Sequence, residues 1–161
     1  MSAISVIPFH PRYAADFRRL NLDWIERLFK VEAPDLKVLD DPGHAIIAPG
    51  GMIFFALEGD AVVGTAAMIR VTEDRYELAK MAVPTTHQNR GIGGLLGNAC
   101  KTWAMQQRII RTVFLETNSR LANAIHLYER LGFRHAPWPH PSDYARGDVY
   151  MEMKIEPTEA R

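Results

Sequence analysis

Seven consecutive residues, Gln88-Asn89-Arg90-Gly91-Ile92-Gly93-Gly94, have the composition of a loop that holds an anion through its backbone. Gly91, Gly93 and Gly94 carry no side chain to keep a ligand from the main chain, and Arg90 adds positive charge at the rim. If a helix follows, its unpaired amides and the positive end of its dipole converge on one point, the geometry of a phosphate site. Glycine clusters at helix starts are also common turn chemistry, so the surroundings must decide. Two phosphate motifs lack essential parts here. Gly93-Gly94 runs into Leu95-Leu96, with no lysine and no Ser/Thr for magnesium, which removes a P-loop. A dinucleotide fingerprint needs glycine where Leu96 stands.

The elements that must position this loop follow from pattern. Tyr76 to Val83 reads as a strand ending just before it, and Ile92, Leu95 or Leu96, Ala99 and Trp103 fall on one face of a helix beginning near Gly91. Thr112 to Thr117 is a buried-strand candidate, and Leu121 to Leu131 is a second helix that Gly132 ends in the left-handed capping position. Upstream, Met52 to Leu57 and Ala61 to Val71 form a hairpin about Glu58-Gly59-Asp60. Ala3 to Pro8 alternates like a strand, and Tyr13 to Val31 has helical spacing, as one kinked helix or two short ones with Asn21 or Asp23 as internal cap. Pro34 to Gly51 reads as irregular, and a proline-rich loop from Ala136 to Ser142 precedes a last strand, Val149 to Ile155. The expectation is a single α/β (α+β) domain over residues 1–161, with a mixed sheet of about six or seven strands, helices on both faces, and a frayed tail over 157–161.

Gln88-x-x-Gly91-x-Gly93 resembles the Q/R-x-x-G-x-G/A signature of the GCN5-related N-acetyltransferase superfamily, and Met81-Ala82-Val83-Pro84 precedes it at that family's spacing. Asn123-Ala124-Ile125-His126-Leu127-Tyr128, running on to Gly132-Phe133, is similar to its A-x-x-L-Y-x-x-x-G-F helix. The two ordered motifs span about residues 76 to 134. The resemblance implies acetyl-CoA as co-substrate and a primary amine, of a small molecule or amino acid, as acceptor. It places the pyrophosphate on Gln88, Asn89, Arg90, Gly91, Ile92, Gly93 and Gly94, and the pantetheine along Met81, Ala82 and Val83, one of whose amides serves as oxyanion donor. Asn123 is placed for a polar contact to the cofactor. Tyr128 stands at the position of the general acid: a phenol of pKa about 10 can protonate a thiolate of pKa about 8.5. Glu77 resembles the family's base, with Glu116 as second choice, and a pair with Lys80 or Arg75 is Glu77's plain alternative.

The acceptor side is less legible. Trp24, Glu32, Tyr144 and Arg146 are the candidates, with Arg146 suited to a substrate carboxylate, although an aromatic stripe such as that of Trp24 more often belongs to a core. The six histidines and single Cys100 form no metal-binding spacing, so no metal is expected, and Cys100 reads as a buried thiol. With 19 basic and 19 acidic side chains, no global field favours nucleic acid or an anionic membrane. No apolar run approaches a membrane span, and the expected setting is cytoplasmic, with a homodimer allowed. Two other readings remain: a catalytically silent acyl-CoA-binding or regulatory module, and an α/β interaction domain whose glycines serve packing.

Overall fold

The computed structural model describes residues 3–158. Strand β1 (Ile4–Pro8) leads through a 3₁₀ turn into helices α1 (Ala14–Leu28) and α2 (Ala33–Leu39). A π turn over Gly43–Ile47 precedes β2 (Met52–Glu58), β3 (Ala61–Arg70) and β4 (Arg75–Ala82). Helix α3 (Ile92–Gln106), β5 (Thr112–Thr117), α4 (Ala122–Leu131), β6 (Arg134–His135) and β7 (Val149–Lys154) complete the order. The seven strands form one sheet in the order β1-β2-β3-β4-β5-β7-β6. Only β4 and β5 pair in parallel.

Alternation along the strands sends side chains to two cores. Tyr76 and Leu78 of β4 and Val113 and Leu115 of β5 pack with Ile92, Leu96 and Cys100 of α3 and Leu131 of α4. On the other face Ile53, Phe55 and Ala67 meet Phe17 and Ile25 of α1 and Leu39 of α2. The intervening residues Glu77 and Glu116 therefore project to the α1 side.

Three local expectations change. Asn21 and Asp23 do not interrupt α1: Asn21 is buried, donates to Phe17 O at 3.0 Å and accepts from Trp24 Nε1 at 3.1 Å, so the helix runs unbroken to Leu28. The segment read as irregular holds α2, where Asp35 Oδ2 accepts from the Glu32 amide at 2.9 Å and Pro34 stands in the first turn. Strand β6, two residues long, was below the reach of any periodicity. Of the tail, the Thr158 amide donates to Met105 O at 3.1 Å and so docks on α3, while residues 159–161 lie outside the described residues.

Two irregularities of β4 matter for the site. Ala67 pairs with Ala79 but Thr65 with Ala82, so Lys80 and Met81 stand opposite one residue in a bulge. Lys80 there takes φ 54°, a left-handed conformation costing a non-glycine residue about 1 kcal/mol. The ladder between β4 and β5 covers only Arg75↔Thr112, Tyr76↔Val113 and Glu77↔Phe114, although both strands continue. Beyond Glu77 the two strands part, and the β4 edge facing β5 is left without a strand partner.

Candidate active site

The parted strands open a cavity of about 700 Å³ through the sheet. Its walls include Met81, Ala82 and Val83, the loop residues Gln88, Asn89, Gly91, Ile92, Gly93 and Gly94, and Asn123 and Tyr128 of α4. From the α1 side come Trp24, Phe29, Glu77, Glu116, Tyr144 and Arg146. One cavity thus gathers residues drawn from both helical faces.

The loop is built as its composition required. Gly91 opens α3 with φ 79°, Asn89 also has positive φ at 63°, and no side chain caps the helix. The first hydrogen bond back to this turn is from the Leu95 amide to Gly91 O, 3.1 Å, so the amides of Ile92, Gly93 and Gly94 have no intrahelical partner. Gln88 Nε2 donates to Val83 O at 3.1 Å and ties the loop to the strand end. Uncapped amides beside an unpaired strand edge fit a pyrophosphate followed by an extended amide-bearing arm. The glycines have different tasks. A Cβ on Gly91 would meet nothing within 4 Å, whereas one on Gly93 would lie 3.0 Å from Leu127 Cδ2, and one on Gly97 2.4 Å from Leu131 Cδ1. Gly93 and Gly97 therefore let α4 lie close against α3, which brings Tyr128 to the cavity.

Arg90 does not do what its position suggested. It lies outside the cavity wall and donates to Glu58 Oε2 at 2.6 Å, while His87 Nε2 lies 3.2 Å from Glu58 Oε1. The guanidinium beside Glu58, with His87, holds that carboxyl below its ordinary range. Charge at this rim is matched within the protein.

Tyr128 packs edge-on against Phe133, ring centroids 6.1 Å apart, and its hydroxyl makes no hydrogen bond among the described residues. Burial pushes its pKa up to about 12, with a small contribution from Cys100. It is fully protonated at neutral pH and is a weaker acid than a free phenol. The same cause lifts the buried Cys100 thiol to about 12.

Glu77 pairs with neither expected cation. Lys80 turns to Asp35, and Arg75 lies over the Phe114 ring at 4.1 Å and donates to Tyr150 Oη at 2.6 Å. Glu77 has no hydrogen-bond partner among the described residues. Burial above all, then Glu116 and Asp143, raise its pKa from 4.5 to about 7, against the opposing pull of Lys80 and Arg75. Glu116 Oε1 accepts from Ser142 Oγ at 2.6 Å.

The acceptor-side candidates assemble into a network that sequence reading missed. Arg146 grips buried Asp35 with both terminal nitrogens, Nη2 to Oδ1 at 2.6 Å and Nη1 to Oδ2 at 2.9 Å, and Nη1 reaches Glu32 Oε2 at 3.3 Å. Lys80 Nζ donates to Asp35 Oδ1 at 2.7 Å and to Tyr144 Oη at 3.0 Å. Burial alone would raise Asp35, but the bonds from Arg146 and Lys80 outweigh it and hold the pKa at about 2. Burial draws Lys80 below its ordinary value, with Asp35 opposing, and raises Tyr144. This corrects two expectations: Arg146 lines the cavity but its guanidinium is committed to Asp35 and Glu32, and Glu32 lies behind it rather than on the wall. Trp24 and Tyr144 do line the cavity, each with Arg146 over its ring, at 5.8 and 4.5 Å. The only local signal for this network was Glu32-x-x-Asp35 around Pro34, a helix start; its partners lie 45 and 111 residues along the chain.

A split mixed sheet with bare helix amides on one side and an unpaired carboxyl on the other fits a site for a phosphate-bearing donor of a group-transfer reaction. The model of the acetyltransferase (GNAT) family matches residues 16–133, and the chain belongs to that family of acetyl-CoA-dependent N-acetyltransferases. Solved structures agree in fold. A GNAT-family acetyltransferase of Staphylococcus aureus Mu50 superposes with TM-score 0.84 at 22% identity, covering 96% of this chain and all of that one. The ribosomal-protein-S18-alanine N-acetyltransferase of Escherichia coli gives 0.73 at 20% identity, over 98% of this chain and 97% of that one. Ard1 of Thermoplasma volcanium gives 0.72 at 16%, over 95% and 98%. Among curated proteins no sequence matches. Among the described residues no helix is long and apolar enough to cross a membrane, and no group of three or more His, Cys, Asp or Glu side chains is placed to hold a metal ion.

Proposed function

We propose that this chain transfers the acetyl group of acetyl-CoA to the primary amine of a small molecule, with Glu77 as base and Tyr128 as general acid. The observation that carries this reading is that two titratable side chains with no hydrogen-bond partner among the described residues, Glu77 from the α1 side and Tyr128 from the α4 side, line one cavity. The bound thioester supplies an activated acyl carbon. The bare amides of α3 and the loop from Gln88 to Gly94 hold its phosphates, Asn123 adds a polar contact, and the free edge at Met81, Ala82 and Val83 aligns the arm and presents an amide to the oxyanion.

Glu77 takes the proton that the amine loses as its nitrogen bonds to the acyl carbon. As the carbon–sulfur bond breaks, Tyr128 gives its hydroxyl proton to the sulfur. A base near pKa 7 suits this role, since at neutral pH a large fraction is ionised. It can accept the one proton that the neutral amine gives up once its nitrogen has bonded to the acyl carbon, when that N–H is far more acidic than in a free ammonium. Thiol release from acetyl-CoA across a panel of amines tests the reading, with Tyr128→Phe and Glu77→Gln as variants. Turnover is expected with at least one amine and a loss of about a hundredfold to ten-thousandfold in kcat for each variant. Acetyl-CoA binding without thiol release from any amine would instead leave a silent binding module.

A further inference from the structure

Resting on the transferase reading just given, the charge arrangement of the acceptor half identifies the kind of amine it takes. We infer that the acceptor is a primary amine carrying a second positive charge and no carboxylate, and that Glu116 holds that second charge.

The buried cations of this half are already matched. Lys80 and Arg146 face Asp35 and Glu32 at 2.6 to 3.3 Å, two charges of each sign. Arg75, on the same sheet face as Glu77, is spent on the Phe114 ring, 4.1 Å away, and on Tyr150. Arg27, Arg120 and Arg130 also border the cavity but are exposed. Arg27 lies 3.7 Å from Asp23, and Arg120 lies over Phe29 at 5.1 Å, and in high dielectric all three act weakly on the interior.

Two carboxylates of the cavity have no such counterpart. Among the described residues Glu77 makes no hydrogen bond, and Glu116 receives only the neutral Ser142 hydroxyl on Oε1, which leaves Oε2 without a partner there. Both project from the α1 face across the gap between β4 and β5, and exposed Asp143 adds to the negative field felt at Glu77. A carboxylate-bearing acceptor would enter against this field with no free buried cation to receive it. A cationic one relieves it. While Glu77 accepts a proton from the attacking nitrogen, Glu116 pairs with the distal cation through its free oxygen.

Three amines of one length and different tail charge test this: butane-1,4-diamine, n-butylamine and 4-aminobutanoate. With acetyl-CoA and the unaltered protein, kcat/KM is expected to fall at least tenfold from diamine to butylamine, and again to aminobutanoate. In Glu116→Gln the diamine-to-butylamine ratio should collapse below threefold, through KM for the diamine, with acetyl-CoA affinity retained as evidence of folding. Aminobutanoate, or any other carboxylate-bearing amine, turned over as well as the diamine overturns the inference while leaving the transferase reading intact. So does a diamine preference that survives Glu116→Gln. Acetyl-CoA binding with no thiol release from any amine removes the transferase reading and the inference together. The tail-charge series on the unaltered protein decides the question even if the variant does not fold.

Discussion

Replacing Glu77 by Gln keeps the shape of the side chain and removes its titration, so one variant reads both stability and catalysis. In the native protein burial, Glu116 and Asp143 raise Glu77 from 4.5 to about 7, against Lys80 and Arg75. A carboxyl whose pKa is higher folded than unfolded binds more protons in the folded state between those values. Stability therefore falls as pH rises from about 4.5 and levels off above about 7. At 1.36 kcal/mol per pKa unit the full span is about 3 kcal/mol, and between pH 5 and pH 8 the expected loss is about 2.5 kcal/mol. Urea unfolding at the two pH values is the assay. Relative to Glu77→Gln, the native protein should lose about that amount on going to pH 8, the variant being the more stable one there. The same group should shape turnover, with kcat rising through an apparent pKa near 7 in the native protein and this limb missing from the variant. Parallel stability curves for the two proteins would refute the burial argument. An unchanged kcat limb would remove Glu77 as base even if the stability difference were found.

Three further outcomes follow from the packing and the charges. Asp35→Asn leaves Lys80 and Arg146 buried with only Glu32 beside them, and should cost about 3–5 kcal/mol in urea unfolding at pH 7. Because Asp35 is held at about 2, below its ordinary 3.8, its contribution is present above pH 3.8 and is lost as pH falls toward 2, so the deficit should shrink there. Gly97→Val places a branched side chain where even a Cβ lies 2.4 Å from Leu131, and should destabilise by about 1–3 kcal/mol, with kcat reduced as α4 and Tyr128 shift. Tyr128→Phe should leave the calorimetric affinity for acetyl-CoA within threefold while slowing thiol release, since only the hydroxyl proton is lost.

What was legible in the chain was what local chemistry encodes. Gly91 and Gly132 were read as special backbone positions and take φ of 79° and 113°. The strand-loop-helix unit around them needed only periodicity and glycine placement. Long-range pairing was not legible. Asp35 was passed over inside a proline-punctuated stretch because nothing within a helical turn of it reveals Lys80 or Arg146. Arg146, expected to face a substrate carboxylate, instead grips Asp35 of the protein itself. The charge of Arg90 is likewise answered within the protein, by Glu58 at the end of β2. Charged residues near a site are assigned wrongly from sequence whenever their partners come from distant elements, because complementarity toward a ligand and toward the protein look alike there.

The parted strands separate two halves with opposite electrostatic character. On the α3 side the unpaired amides of Ile92, Gly93 and Gly94 and the helix dipole supply positive potential that needs no titratable group, so that half works alike across pH. On the α1 side the excess is negative and comes from side chains, one of them raised to about 7. An anionic donor and the cationic amine proposed above would therefore be drawn to opposite ends of one cavity, and the reversed arrangement would be opposed without any steric gate. The quartet of Glu32, Asp35, Lys80 and Arg146 adds no net charge to that field, although Lys80 still pulls on Glu77, and it fixes the wall against which the field acts. It ties α2 and the segment before β7 to the bulge of β4, where the left-handed Lys80 stands beside the strand edge offered to the donor. Loosening it should therefore degrade alignment of amine and thioester together, lowering kcat more than the affinity for either substrate.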